Sequence, residues 1–273
     1  MRRPITTDIE ERRVPVGEIA LNVVFAGDPD APALVLLHGI GSRHVSWLPV
    51  VDDLARDFRL VMPDARGHGA SDQPVAGYLL PDYAADLQGL RSALGLDRPA
   101  IVGHSLGGLI ALTWAVVHPA AARAIVVEDT PLRGGVEHVP NLEGWRALAA
   151  MTVDEAAAHY REHNPHWSEA DCQRRARSIT ATSATVFTEL RDEAAAAGLV
   201  DRLEPLDGIV SPTLLIHGDV DAGGMVHAPD AARLSAMGPP FEVARIPDGP
   251  HSLHRDRTDA FLALARAFLA RHP

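Results

Sequence analysis

The stretch Ala100-Ile101-Val102-Gly103-His104-Ser105-Leu106-Gly107-Gly108 decides the fold. Its first residues read as a buried strand. Leu106 to His118 is apolar nearly all round and reads as a buried helix that stops at Pro119. A serine at the junction, with glycines two residues to either side, is the G-x-S-x-G pattern in the setting that gives it chemical meaning. The sharp turn forces the serine into a strained backbone, and neighbouring chain comes too close for a Cβ at the glycines. Ser105 then sits at a helix N-terminus, where amides and dipole favour a developing negative charge. A chance glycine-rich helix start would have no reason to follow a strand.

Working outward, Arg12 to Val16 and Ile19 to Phe25, split by Gly17, read as an opening hairpin. Ala33 to His38, Phe58 to Pro63, Ala124 to Val127, Thr213 to His217 and Phe241 to Ile246 are short apolar runs, as expected of strands covered on both faces. Helical patterns lie between them. Asp82 is read as the N-cap of a helix that presents Tyr83, Leu87, Leu90 and Leu94 on one face, and Asp259 to Arg271 as the closing helix. This alternation predicts an α/β fold, a mostly parallel sheet with helices on both faces. It stops between Pro131 and Pro205, where the chain is rich in alanine and charge and no strand is evident. Helices are expected at Leu142 to Ala150, Val153 to Glu162 and Ala170 to Ala197. The predicted organisation is a core of 1–130 and 206–273 with a helical cap inserted at 131–205.

Composition narrows the chemistry. The 273 residues carry 36 acidic and 25 basic side chains, a net charge of -11, which argues against a nucleic-acid partner. Every basic residue is arginine. Without a lysine there is no Schiff base, no pyridoxal-phosphate anchor and no phosphate-loop lysine. The single Cys172 forms neither an internal disulfide nor a multi-thiolate zinc site. Arg2 and Arg3 open the chain, yet Pro4 to Arg13 is polar where an export signal needs an apolar stretch of about 7–15 residues. No apolar stretch approaches the roughly 20 residues that span a bilayer. A cytoplasmic protein without membrane partners is expected; the sequence sets no oligomeric state.

His38-Gly39-Ile40-Gly41 ends an early strand, where a backbone amide is needed to share an oxyanion with the amide of Leu106. Ile40 is read as that donor, because the preceding glycine lets the chain fold back. Asp64 to Asp72 is read as a structural turn near the site. With these motifs and a late histidine, the chain resembles the α/β-hydrolase family, in its capped subgroup, over nearly its whole length apart from the unspecific cap. The resemblance implies an eight-stranded sheet, no cofactor, and the order nucleophile, acid, histidine along the chain.

Of fourteen histidines, His251 in Pro247-Asp248-Gly249-Pro250-His251 stands where the family places its base, with His254 in reserve. The acid has two possible homes. Asp221 follows the strand Thr213 to His217, the family's commonest arrangement, although Ala222-Gly223-Gly224 departs from the usual pattern. Asp129 follows the strand just after the nucleophile helix, a placement resembling haloalkane dehalogenases and zearalenone-type lactone hydrolases. The reading favours Asp129 and keeps Asp221 as the alternative. Gly39, His104 and Trp47 are expected at the substrate pocket, with Arg43 and His44 beside them. Trp145, Tyr160, Trp167 and Phe187 are the aromatic candidates from the cap.

A serine hydrolase is therefore expected, cleaving a carboxylic ester, lactone or thioester as a small-molecule substrate. Cleavage of a carbon–carbon bond beside a ketone, or peracid formation, would use the same residues. His159-Tyr160-Arg161-Glu162-His163 matches the H-x-x-E-H zinc pattern, with His166 as a further ligand. Asn164-Pro165 ends that helix at once, and a solvated face is the better reading, so no metal is expected. A ligand sensor without turnover is disfavoured by the full set of serine, histidine and carboxylate.

Overall fold

The computed structural model describes residues 7–134, 141–165, 167–197 and 200–273. Arg2, Arg3 and His166 lie outside them. Ten strands are described: β1 (Ile9–Pro15), β2 (Ala20–Ala26), β3 (Ala33–Leu37), β4 (Arg59–Pro63), β5 (Ala100–His104), β6 (Ala124–Glu128), β7 (Arg133–Gly134), β8 (Val200–Asp201), β9 (Thr213–His217) and β10 (Phe241–Arg245). The helices are α1 (Leu48–Leu54), α2 (Leu80–Ala93), α3 (Leu106–Val117), α4 (Leu142–Ala149), α5 (Val153–His163), α6 (Glu169–Ile179), α7 (Ala184–Ala197), α8 (Ala228–Ala236), α9 (Leu253–Asp256) and α10 (Thr258–Ala270).

Eight strands form one sheet in the order β1-β2-β4-β3-β5-β6-β9-β10, antiparallel at β1/β2 and β2/β4 and parallel from there on. The twofold side-chain period divides every central strand between two layers. Val35, Leu37, Ile101, Ile125, Val127 and Leu215 face the layer covered by α2, α3 and α8. Leu34, Leu36, Val102, Val126, Leu214 and Ile216 face α1 and α10, where Trp47, Phe261 and Phe268 are wholly enclosed. Both faces being covered explains why these strands are continuously apolar in sequence. The parallel strands end along one edge, and the loops there carry the chemistry.

A third apolar cluster joins α4 to α7 through Leu142, Leu148, Tyr160, Cys172, Ile179 and Phe187. Ile40 packs against it from the loop after β3. Three details differ from the sequence reading. Asp82 does not cap α2; it lies inside the first turn and its carboxylate accepts the Leu79 N–H at 3.0 Å. The helix expected over 170–197 is two helices. Thr180 and Thr182 return their hydroxyls to the carbonyls of Ala176 and Ser178, and the Ser183 amide leaves to bind Gly67 O at 2.8 Å. Finally, β7 and β8 pair antiparallel at the base of the helical group, two residues each and too short for any periodic signal.

Candidate active site

Ser105 turns β5 into α3 with φ 52° and ψ −114°, a region that side-chain-bearing residues rarely adopt. Its amide donates to Glu128 O at 3.0 Å, so the neighbouring strand end holds the strained turn. A Cβ on Gly103 would stand 2.4 Å from Gly107 O, and one on Gly107 would stand 2.1 Å from Leu37 O. Neither position has room for alanine. Among the described residues no protein acceptor takes the amides of Ile40 or Leu106.

His251 sits on the loop after β10, and its Nδ1–H donates to Asp129 Oδ2 at 2.7 Å. That leaves Nε2 as the basic nitrogen. Asp129 is fully buried and leaves β6 with φ 41°. Its oxygens also accept the amides of Gly218 at 3.3 Å and Met225 at 2.8 Å. Both donors belong to the loop after β9, which is also the loop that carries Asp221. This loop therefore serves the buried carboxylate through its backbone, while Asp221 stands exposed on the turn Val220–Ala222. Of the two acids open in sequence, Asp129 is the one on the imidazole.

A second histidine–carboxylate pair lies alongside. His254 gives both its amide and its Nδ1–H to buried Glu128, at 2.9 Å and 2.8–2.9 Å, and its ring lies tilted against Trp47 with centroids 4.4 Å apart. His104 lies between the two pairs, with ring centroids 4.6 Å from His251 and 5.1 Å from His254. Its Nε2–H donates to His251 O at 2.9 Å. Burial and the two neighbouring imidazoles hold His104 far below the ordinary histidine range. Glu128 escaped the sequence reading. The available signal was an acid at the end of an otherwise apolar buried strand, since a buried carboxylate needs a partner.

Two further histidines brace the loop after β3. His38 donates Nδ1–H to Gly39 O at 2.8 Å and accepts the Ala65 amide on Nε2 at 3.0 Å. His68 donates to Arg66 O at 2.9 Å and accepts the Gly41 amide at 3.1 Å. Both acceptor roles require a neutral ring. Burial lowers both, His68 to about 3. The unfolded histidine titrates near 6.5, so between about pH 6.5 and 3 the unfolded chain takes a proton that folded His68 refuses. Stability is thus complete above this window and lost as pH falls through it, at about 1.4 kcal/mol per unit for His68. Urea midpoints are expected to fall from pH 7 to pH 5, and to fall less steeply in His68→Gln. Equal slopes would exclude this role.

Ser105, His251, Gly39, Ile40 and His104 line a cavity of about 1020 Å³ together with Trp145 and Trp167 from the helical group. Other expected pocket residues lie elsewhere. Trp47 is wholly buried against His254, because its indole completes the apolar layer under α1. His44 is bound to the enclosed carboxylate of Asp64 through its amide and Nδ1, both at 2.8 Å. Arg43 is not part of the lining, whereas its neighbours Ser42, Val45 and Ser46 are. Tyr160 and Phe187 pack inside the helical group. His159 and His163 stack ring on ring at 4.0 Å, and Nδ1–H of His163 binds His159 O. Among the described residues no three histidine, cysteine or acidic side chains gather as a metal site, and no helix is long and apolar enough to cross a membrane.

Residues 32–257 match the family description "alpha/beta hydrolase fold". The chain is 28% identical to a 2-(acetamidomethylene)succinate hydrolase of Mesorhizobium japonicum, over 88% of each chain. It is also 28% identical to an N-formylmaleamate deformylase of Pseudomonas putida, over 88% of this chain and 89% of that one. The crystal structure of an E-2-(acetamidomethylene)succinate hydrolase superposes with a TM-score of 0.79 at 26% identity, covering 96% of this chain and all of the other. A 2-hydroxy-6-oxo-6-phenylhexa-2,4-dienoate hydrolase from Rhodococcus shares the fold at TM-score 0.80 and 23% identity, over 97% of this chain and 100% of its own.

Proposed function

Given that the chain belongs to the α/β-hydrolase fold family and is a hydrolase, we propose that it cleaves a carboxylic ester, lactone or thioester through an acyl-enzyme on Ser105. The observation that carries this reading is the Nδ1–H of His251 on buried Asp129 at 2.7 Å, with His251 and Ser105 both lining one cavity. His251 Nε2 takes the Ser105 proton as Oγ attacks the carbonyl carbon. The amides of Ile40 and Leu106 receive the oxyanion. His251 then returns the proton to the leaving group, the acyl–heteroatom bond breaks, and water activated by the same imidazole releases the acid and restores Ser105. The carboxylate of Asp129 stabilises the imidazolium formed at each step. Residues 131–205 act as a cap over the core of 1–130 and 206–273, supplying the tryptophans of the cavity wall.

A second reading concerns the atom that leaves. Both full-length relatives are named for acyl–nitrogen compounds, an acetamidomethylene succinate and an N-formylmaleamate. This favours an amide-type bond as a further substrate of the same serine. Carbon–carbon cleavage next to a ketone and peracid formation would use the same groups. A panel of short esters, lactones, N-acyl compounds and vinylogous diketones separates these readings. On the best of them, rapid quenching and intact-protein mass are expected to show one acyl group added, and peptide mapping to place it on Ser105. Turnover at full rate with no adduct, alongside a Ser105→Ala chain of equal activity, would overturn the serine mechanism.

A further inference from the structure

Four arginines line the cavity that holds Ser105. Three already have a carboxylate. Arg56 binds Asp53 at 3.0 Å, Arg174 binds Asp171 at 2.6 Å, and Arg255 binds Asp256 at 2.9 Å. Arg175 on α6 is different: among the described residues it has no acidic partner. Its guanidinium rests on the face of Tyr160, 5.7 Å from the ring centroid, and donates from Nη1 to Gly41 O. A guanidinium has five N–H donors, and this bond uses one of them. A half-buried cation without a counter-charge is costly unless a ligand supplies the charge. Gly41 directly follows Ile40, whose free amide faces the developing oxyanion in the proposed mechanism. An anion on Arg175 would therefore lie only a few atoms from the carbonyl under attack. The fork of the guanidinium matches a carboxylate in two parallel hydrogen bonds.

We infer that Arg175 is the carboxylate-binding residue of the cavity, and that the substrate is an anionic acyl compound with a free carboxylate near the scissile carbonyl. This rests on the cavity's being the substrate site of the proposed hydrolase. The net charge of -11 sharpens the point, since the molecule as a whole repels anions and the other three arginines of the cavity are already neutralised by carboxylates.

The test reads binding rather than turnover. In the Ser105→Ala chain, the tryptophan emission of Trp145 and Trp167 is titrated with monomethyl succinate, an anion, and with dimethyl succinate, its neutral counterpart. The anion is expected to bind at least tenfold more tightly, and Arg175→Gln in the same background is expected to bring that ratio close to one. Should the glutamine chain fail to fold, the ratio is read in Arg175→Lys, where the loss of the two-pronged fork is expected to lower it at least threefold. No preference for the anion in the starting chain, or an unchanged ratio in the folded variant, overturns the assignment. The hydrolase reading fails separately, if Ser105→Ala retains its ester turnover, and the titration still decides the role of Arg175.

Discussion

Asp129→Asn is expected to lower kcat about 10,000-fold, whereas Asp221→Asn changes it less than twofold. The asymmetry follows from what each carboxylate touches. One oxygen of Asp129 accepts from His251 and from the Met225 amide, and the other from the Gly218 amide. An asparagine has one accepting atom and one NH2. If its oxygen faces Met225 and His251, the NH2 is driven against the Gly218 N–H. If it is turned over, the NH2 meets Nδ1 of the imidazole, the proton moves to Nε2, and the base can no longer take the hydroxyl proton. Each orientation also leaves a buried donor unmet, at about 1–3 kcal/mol. Asp221 has none of these neighbours; it stands in solvent. Steady-state kinetics on the best ester of the panel, with the two variants side by side and their melting temperatures recorded, checks this. A crippled Asp221→Asn beside an active Asp129→Asn would reverse the assignment.

Ser105→Ala is expected to cost more, about a millionfold in kcat, and to remove any burst of leaving group. The remaining turnover reflects the two amides and the bound geometry alone. The fold should tolerate the change. Alanine at position 105 keeps the same positive φ, and the backbone bond from its amide to Glu128 O is untouched. A melting temperature close to that of the parent chain, together with the lost turnover, separates chemistry from damage. Activity within tenfold of the parent would remove the nucleophile from the account.

Much of this architecture was legible in the residues. The central strands are buried on both faces, so each reads as a short apolar run, and the elbow at Gly103 to Gly107 is dictated by backbones that leave no space for a Cβ. Hydrophobic period finds such elements because burial wrote them. Pairings across the chain were less accessible. Whether His251 meets Asp129 or Asp221 depends on how far β6 and β9 reach past the sheet edge, and both strands end in an acid-bearing segment. Trp47 shows the converse limit: it follows the oxyanion loop in sequence, but the start of α1 turns its indole into the core. Glu128 and His68 were missed because their roles come from burial. Glu128 meets a histidine 126 residues away and His68 is held neutral by burial, and a linear reading shows neither. The break between α6 and α7 was hidden because charged and alanine residues compatible with helix lie on both sides of the short run Thr180-Ala181-Thr182-Ser183.

The placement of the acid on β6 bears on how this molecule tolerates change. The loop after β9 meets Asp129 only through the peptide groups of Gly218 and Met225. Between those two points only Asp219 has a side chain tied to the neighbouring loop, through Arg245 and the Asp248 amide; changes at Val220 to Ala222 leave the proton relay alone as long as the two amides keep their aim. The short segment from Glu128 to Thr130 has no such freedom. It anchors both imidazoles and the serine turn at once, so a change there disturbs three parts of the site together.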